Sequence, residues 1–142
     1  MRYAYPVEIE EAPDGVTITC PDVPEMVTFG ETRAQSLERA ADALISALSF
    51  YADEGKPLPH PSAARGRLVV SVTALEAAKL ALHDAMLAEK ISNVELGRRL
   101  NLDERAVRRL RDPLYRSHIG AVEAALRNLG RQIYIDVRET VT

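Results

Sequence analysis

The sequence predicts an α+β fold in two parts. A small βββαβ layer fills residues 1–72, and an all-helical module that closes on a short strand fills residues 73–142. Three observations carry this. Apolar and polar side chains alternate from Tyr3 to Glu10, the mark of a strand with one buried face. An apolar stripe at helical spacing runs from Leu37 to Tyr51. Residues 93–112, reading NVELGRRLNLDERAVRRLRD, carry the offsets of a helix-turn-helix.

Composition narrows the setting. A chain of 142 residues that is 46% hydrophobic can bury a core, as one ordinary domain or two small ones. No apolar run approaches the roughly 20 residues that span a bilayer, and the start, MRYAYPVEIEE, has no signal-peptide block. A single cysteine, Cys20, excludes an internal disulfide framework and suits the cytoplasm. His60, His83 and His118 are scattered without ligand spacing, so each reads as surface or local packing. No metal and no cofactor is expected. The net charge of −3 hides an asymmetry. Residues 1–65 hold five Lys/Arg against eleven Asp/Glu, a net of −6, and the remainder holds thirteen against ten, a net of +3. The front half repels nucleic acid and favours a basic protein, whereas the back half tolerates nucleic acid.

In the first strand Tyr3, Tyr5, Val7 and Ile9 alternate with Arg2, Ala4, Glu8 and Glu10, and Pro6 marks an edge or a bulge. Ala12-Pro13-Asp14-Gly15 is a hairpin turn, and β-branched Val16–Cys20 is the return strand. Pro21-Asp22-Val23-Pro24-Glu25 is a stiff corner. Met26–Phe29 is a third strand that Gly30 ends. Thr32 caps a helix from about Arg33 to Asp53, with Gln35 as capping-box partner. Leu37, Ala40, Ala41, Leu44, Ile45, Leu48 and Tyr51 form the face that covers the sheet. Gly55 ends this helix, Lys56–Ser62 is Pro-rich, extended and exposed, and Leu68–Val72 is the fourth strand.

These motifs together resemble the N-terminal domain of HicB-family antitoxins. The residues that carry the likeness are Tyr5-Pro6, Asp14-Gly15, Pro21-Asp22-Val23-Pro24, Gly30-Glu31-Thr32 and Gly55-Lys56-Pro57-Leu58-Pro59-His60-Pro61-Ser62. Glu25-Met26 departs from the glycine that many members have after the corner. The resemblance implies a partial RNase H-like fold for residues 1–72, and with it the alternative of a metal-dependent nuclease built on Glu8, Glu10, Glu11, Asp14, Asp22 and Glu25. Glu8 and Glu10 lie opposite Tyr5, Val7 and Ile9 and read more simply as a solvated strand face. The acidity is therefore assigned to a partner surface, and the chain is expected not to be an enzyme.

In the back half Thr73 and Glu76 form a capping box for a helix from Ala74 to about Glu89, buried through Leu75, Ala78, Leu82, Ala85 and Met86. Ser92 caps the first motif helix, with Glu95 as its box partner. Gly97 lets the second helix approach, Asn101 suits a left-handed turn, and Asp103 caps the second helix. Ala106, Val107 and Leu110 face inward, which leaves Glu104, Arg105, Arg108, Arg109 and Asp112 outside. Arginine both reads guanine and grips phosphate. Pro113 stops the helix. Ser117 caps a further helix from His118 to Asn128 that Gly130 stops, and Gln132–Val137 is a last strand that needs another strand to pair with, the same strand of a second subunit being one candidate.

This half resembles HicB proteins of the helix-turn-helix subtype, through Ala78–Leu82, Asn93–Pro113 and Ala121–Arg131. The family commonly has Leu where Arg111 stands; the Arg either alters phosphate contacts or is solvated. The combined resemblance implies a type II antitoxin that occludes a basic HicA-type, mRNA-cleaving ribonuclease toxin and represses its own operon as a homodimer or higher homo-oligomer on operator DNA. Arg105, Arg108 and Arg109 are the candidates for bases or phosphates, with Glu104 beside them. Ser92, Asn93 and Arg98 are candidates for phosphates. Glu10, Glu11, Asp14, Asp22 and Pro24 are the candidate toxin contacts. The alternative is a stand-alone helix-turn-helix regulator whose front domain senses a small ligand.

Overall fold

A computed structural model describes residues 2–140. The order is β1 (Ala4–Pro6), β2 (Glu8–Ala12), β3 (Gly15–Thr19), β4 (Val27–Gly30), α1 (Arg33–Asp53), β5 (Val69–Ser71), α2 (Ala74–Glu89), α3 (Asn93–Leu100), α4 (Glu104–Arg111) and α5 (Ile119–Asn128). The expected first strand is divided between two sheets. β1 pairs antiparallel with β5, Tyr5 opposite Val70, while β2, β3 and β4 form an antiparallel meander. The division falls at Pro6, which has no N–H to give to a ladder. Val7 resumes bonding through its N–H to the Leu68 carbonyl at 2.9 Å.

Helix α1 has the bounds the sequence predicts. Thr32 accepts from the Gln35 N–H, while the Gln35 side chain reaches the Glu31 N–H at 2.7 Å instead of closing a strict box. Leu44, Ile45 and Leu48 pack with Tyr5, Val7, Ile18, Val23 and Met26. The Pro-rich exit is exposed at Lys56, Pro57, His60 and Ser62, as expected, but not at Leu58. Leu58 is buried in this core, and the Tyr5 hydroxyl donates to the Pro59 carbonyl at 2.7 Å. Period and propensity cannot see that Pro-rich backbone, unable to pair in a sheet, is held down by a side chain from β1.

Helix α2 opens with the complete Thr73–Glu76 capping box. It stands between two groups of buried side chains. Leu80 belongs to the front group, with Ala77 and Ala81 packed against it. Ala78, Leu82, Ala85 and Met86 belong to the back group, with Leu96, Val107, Leu110, Val122 and Leu126. α3 and α4 are joined through Asn101, which is left-handed at φ 55°, and Asp103, which caps α4 by accepting from the Ala106 N–H. A Cβ on Gly97 would lie 2.7 Å from the Leu102 carbonyl oxygen, so a glycine is what admits the turn.

Two expectations in the C-terminal region are corrected. Helix α5 starts at Ile119, so the N-cap position falls on His118, which makes no side-chain cap, and the Ser117 hydroxyl meets Lys79 instead. Residues 131–140 form no strand, and Tyr134, Ile135 and Val137 are exposed, although Ile133 packs on the back group. A strand lives on ladder hydrogen bonds, and this chain alone offers that segment none. No helix among the described residues is long and apolar enough to cross a membrane.

Candidate nucleic-acid interface and partner surface

The outer side of α4 is cationic. Arg105, Arg108 and Arg109 are exposed there, and Val107 and Leu110 are buried beneath them. The 3.6-residue repeat of the helix forces this separation of faces. Arg108 is paired with Glu104 one turn back, so Glu104 occupies a cation instead of projecting freely. Arg109 stacks over the Tyr115 ring at 5.4 Å. On α3, Glu95 takes both Arg98 and Arg99, and these bonds hold its carboxyl down to about 2. Ser92 is partly occupied, since its Oγ accepts from the Glu95 N–H at 3.1 Å. Asn93 is half-buried and its Oδ1 accepts from Arg111, which removes that oxygen from any outside contact. Of the seven expected contacts, Ser92, Arg98, Glu104, Arg105, Arg108 and Arg109 are exposed, and Asn93 alone is half-buried.

Arg111 is neither of the things the sequence leaves open. Its guanidinium turns inward to Asn93 and to His83 Nδ1, and burial pulls its pKa below the ordinary arginine value. Lys79 is a residue that the sequence motifs do not single out. It is fully buried, and its Nζ lies 2.6 to 2.9 Å from the carbonyls of Arg109, Asp112 and Tyr115 and from Ser117 Oγ. The ammonium thereby ties the Arg109 carbonyl in the last turn of α4, and the Asp112 and Tyr115 carbonyls beyond it, to α2. Burial lowers its pKa. A signal was available. Lys79 and His83 fall at i+4 and i+8 from Leu75, on the apolar stripe of their helix, where a charged or polar side chain needs internal partners.

The front half presents a different surface. The register sets Glu8, Thr19 and Val27 in one row and Glu10, Thr17 and Phe29 in the next, all on the sheet face away from α1. Val27 is 59% exposed and Phe29 is 45% exposed, with carboxylates at the opposite edge of the same face. Among the expected partner contacts, Glu10 stands on this face, and Asp14 and Pro24 are exposed at the hairpin and the corner. Two are corrected. Glu11 belongs to the α1 side, 3.8 Å from Arg33, because adjacent strand residues point to opposite faces. Asp22 is spent internally, accepting from the Ser62 N–H and hydroxyl at 2.9 Å each. Among the described residues no three of His, Cys, Asp and Glu gather into a metal-holding group.

The acidic, partly apolar sheet face and the cationic side of α4 are two separate surfaces of this fold. Residues 2–81 match the family model described as the HicB-like antitoxin of bacterial toxin-antitoxin systems. The chain belongs to that family. It is 38% identical over 139 residues to "Antitoxin HicB" of Pseudomonas fluorescens (strain Pf0-1), covering 96% of this chain and 95% of that one. It is 36% identical to "Antitoxin HicB 2" of Photorhabdus laumondii, covering 91% and 92%. It is 34% identical to "Antitoxin HicB" of Escherichia coli (strain K12), covering 91% and 95%.

Proposed function

We propose that this chain neutralises a HicA-type ribonuclease toxin with its partial RNase H-like front domain, residues 1–72, and represses its own operon with a helix-turn-helix domain, residues 73–142. The observation that carries the DNA half is the outward array of Arg105, Arg108 and Arg109 on a helix whose inner residues are buried. The toxin half is supported by family membership and by the open sheet face, where Glu8 and Glu10 meet a cationic surface and Val27 and Phe29 supply apolar area. Neutralisation is steric and electrostatic, with no chemistry by this chain. A single helix-turn-helix binds weakly, so the active species is a homodimer or higher oligomer on half-sites about one helical turn apart. The exposed, alternating segment around Tyr134, Ile135 and Val137 is the piece of chain left to pair across such a dimer.

The test is co-expression of the full chain with the small protein encoded beside its gene. Growth rescue and co-purification are expected, and Phe29→Asp is expected to weaken both. A full chain that neither rescues nor co-purifies removes the antitoxin reading. For DNA, binding to the duplex upstream of the gene is measured against salt. Arg108→Ala and Arg109→Ala are each expected to reduce the slope of log K against log salt by about one. Unchanged slopes in both variants would show that α4 does not face the DNA.

A further inference from the structure

We propose that His83, Arg111 and Asn93 form a positioning relay that registers the α3–α4 pair against the front half of the chain, and that the relay holds only while His83 is neutral. This rests on the reading of α3–α4 as the DNA-binding pair for its consequence at DNA, but not for its geometry.

The relay crosses four segments. The Lys56 carbonyl, in the Pro-rich exit from α1, lies 2.7 Å from His83 Nε2 on α2. His83 Nδ1 lies 3.0 Å from Arg111 Nη2 at the end of α4. Arg111 Nη1 donates at 2.5 Å to Oδ1 of Asn93, the first residue of α3. His83 itself is 1% exposed, so water does not substitute for a lost partner.

The chemistry of the two neighbours fixes the tautomer. A carbonyl only accepts, so Nε2 carries the proton and donates to Lys56. A guanidinium only donates, so Nδ1 must present a bare lone pair to Arg111. Protonation puts an N–H on Nδ1 pointing at an Arg N–H and sets two like charges side by side inside the protein. The surrounding groups carry both signs, and none of them is hydrogen-bonded to the His83 ring besides Lys56 and Arg111. Asp53 of α1, Arg108 and Asp112 of α4 and Asn93 of α3 line the same cleft as Arg111. Lys79 adds a cation one turn back on α2, the Lys56 ammonium is paired with Glu54, and Asp84, the next residue on α2, is occupied by the Tyr3 hydroxyl at 2.6 Å. The sign follows from linkage: a contact that requires the neutral imidazole weakens as pH falls.

The test compares the full-length wild type with His83→Gln. Glutamine carries one donor end and one acceptor end, so it serves Lys56 and Arg111 and takes up no proton. Binding to the duplex upstream of the gene is measured between ~pH 8 and ~pH 5.5 at fixed salt, and amide exchange of residues 92–112 is measured in parallel without DNA. Relative to His83→Gln, wild-type affinity is expected to fall on acidification, with about tenfold per pH unit as the ceiling for uptake of one proton. Protection of residues 92–112 is expected to fall with it. Arg111→Leu, which removes the cation facing Nδ1, is expected to flatten the wild-type pH response. Identical pH profiles for wild type and His83→Gln in both readouts overturn the relay. If wild type binds no upstream DNA at any pH, the DNA reading fails and amide exchange alone decides the relay. Should His83→Gln not fold, the Arg111→Leu comparison decides it, and an unflattened profile there is equally fatal.

Discussion

Lys79 places an ammonium against three backbone carbonyls and one hydroxyl, with no carboxylate bonded to it. Its worth lies in what those carbonyls face without it. Lys79→Met keeps much of the side-chain volume but leaves the oxygens of Arg109, Asp112 and Tyr115 without that donor. Leaving such groups unsatisfied costs more than removing the charge from a buried site returns. The expected loss is about 2 kcal/mol in urea unfolding, with the segment from Arg109 to Ser117 losing amide protection first. An unchanged midpoint would show that water reaches those carbonyls. At this scale the exposed arginines of α4 were legible, because a helix alternates its faces in a fixed way. Asp22, Asn93 and Arg111 were not: each is claimed by a residue at least 18 positions away, Ser62 for Asp22 and Asn93 and Arg111 for each other. No local pattern encodes such a pairing.

At the scale of elements, the caps at Thr32, Thr73, Ser92 and Asp103 and the left-handed Asn101 are all where the sequence sets them. Each is a local event, complete within about one helical turn. The cap assigned to Ser117 and the strand assigned to residues 132–137 failed for the opposite reason, since both depend on partners distant in the chain or absent from it. The α3 helix allows a direct check on local electrostatics. Glu95 sits in the first turn, favoured there by the helix dipole, and two arginines bond it. Its carboxyl is held at about 2, below its ordinary 4.5, so its stabilising contribution is complete above the ordinary value. That contribution disappears as pH falls toward 2. Glu95→Gln is expected to remove this acid-linked loss, most visibly at low salt because the pair is exposed. Amide exchange across α3 at descending pH measures it. Parallel acid profiles for the two proteins would mean that Arg98 and Arg99 do not hold the carboxylate in solution.

At the scale of the molecule, α2 decides how separable the halves are. Its apolar positions run nearly all the way round, with Ala77, Leu80 and Ala81 on one side and Ala78, Leu82, Ala85 and Met86 on the other. The helix is covered on two sides while Ala74, Leu87 and Ala88 stay exposed, and the stripe of Leu75, Ala78, Leu82, Ala85 and Met86 read from the sequence names only one of those two sides. The boundary drawn after Val72 follows a different local signal, the Thr73 cap. A cap reports where a helix starts and is silent on what the helix packs against. The front core includes fully buried Leu80, the Tyr3 hydroxyl bonds Asp84, and the Lys56 carbonyl meets His83. A fragment ending at Val72 forfeits all three contacts. Losing one fully buried leucine alone costs about 2 to 3 kcal/mol, a large share of the roughly 5 to 15 kcal/mol that holds a domain together. Fragments 1–72 and 1–90 are therefore expected to differ in denaturant midpoint, the shorter one unfolding earlier. Circular dichroism at low concentration is the right probe, since residues 1–90 leave Leu82 and Met86 uncovered and prone to associate. Equal midpoints would place α2 outside the front core in solution. The expected gap would make α2 a shared structural element, through which a strain applied at the front sheet reaches the carbonyls that Lys79 holds.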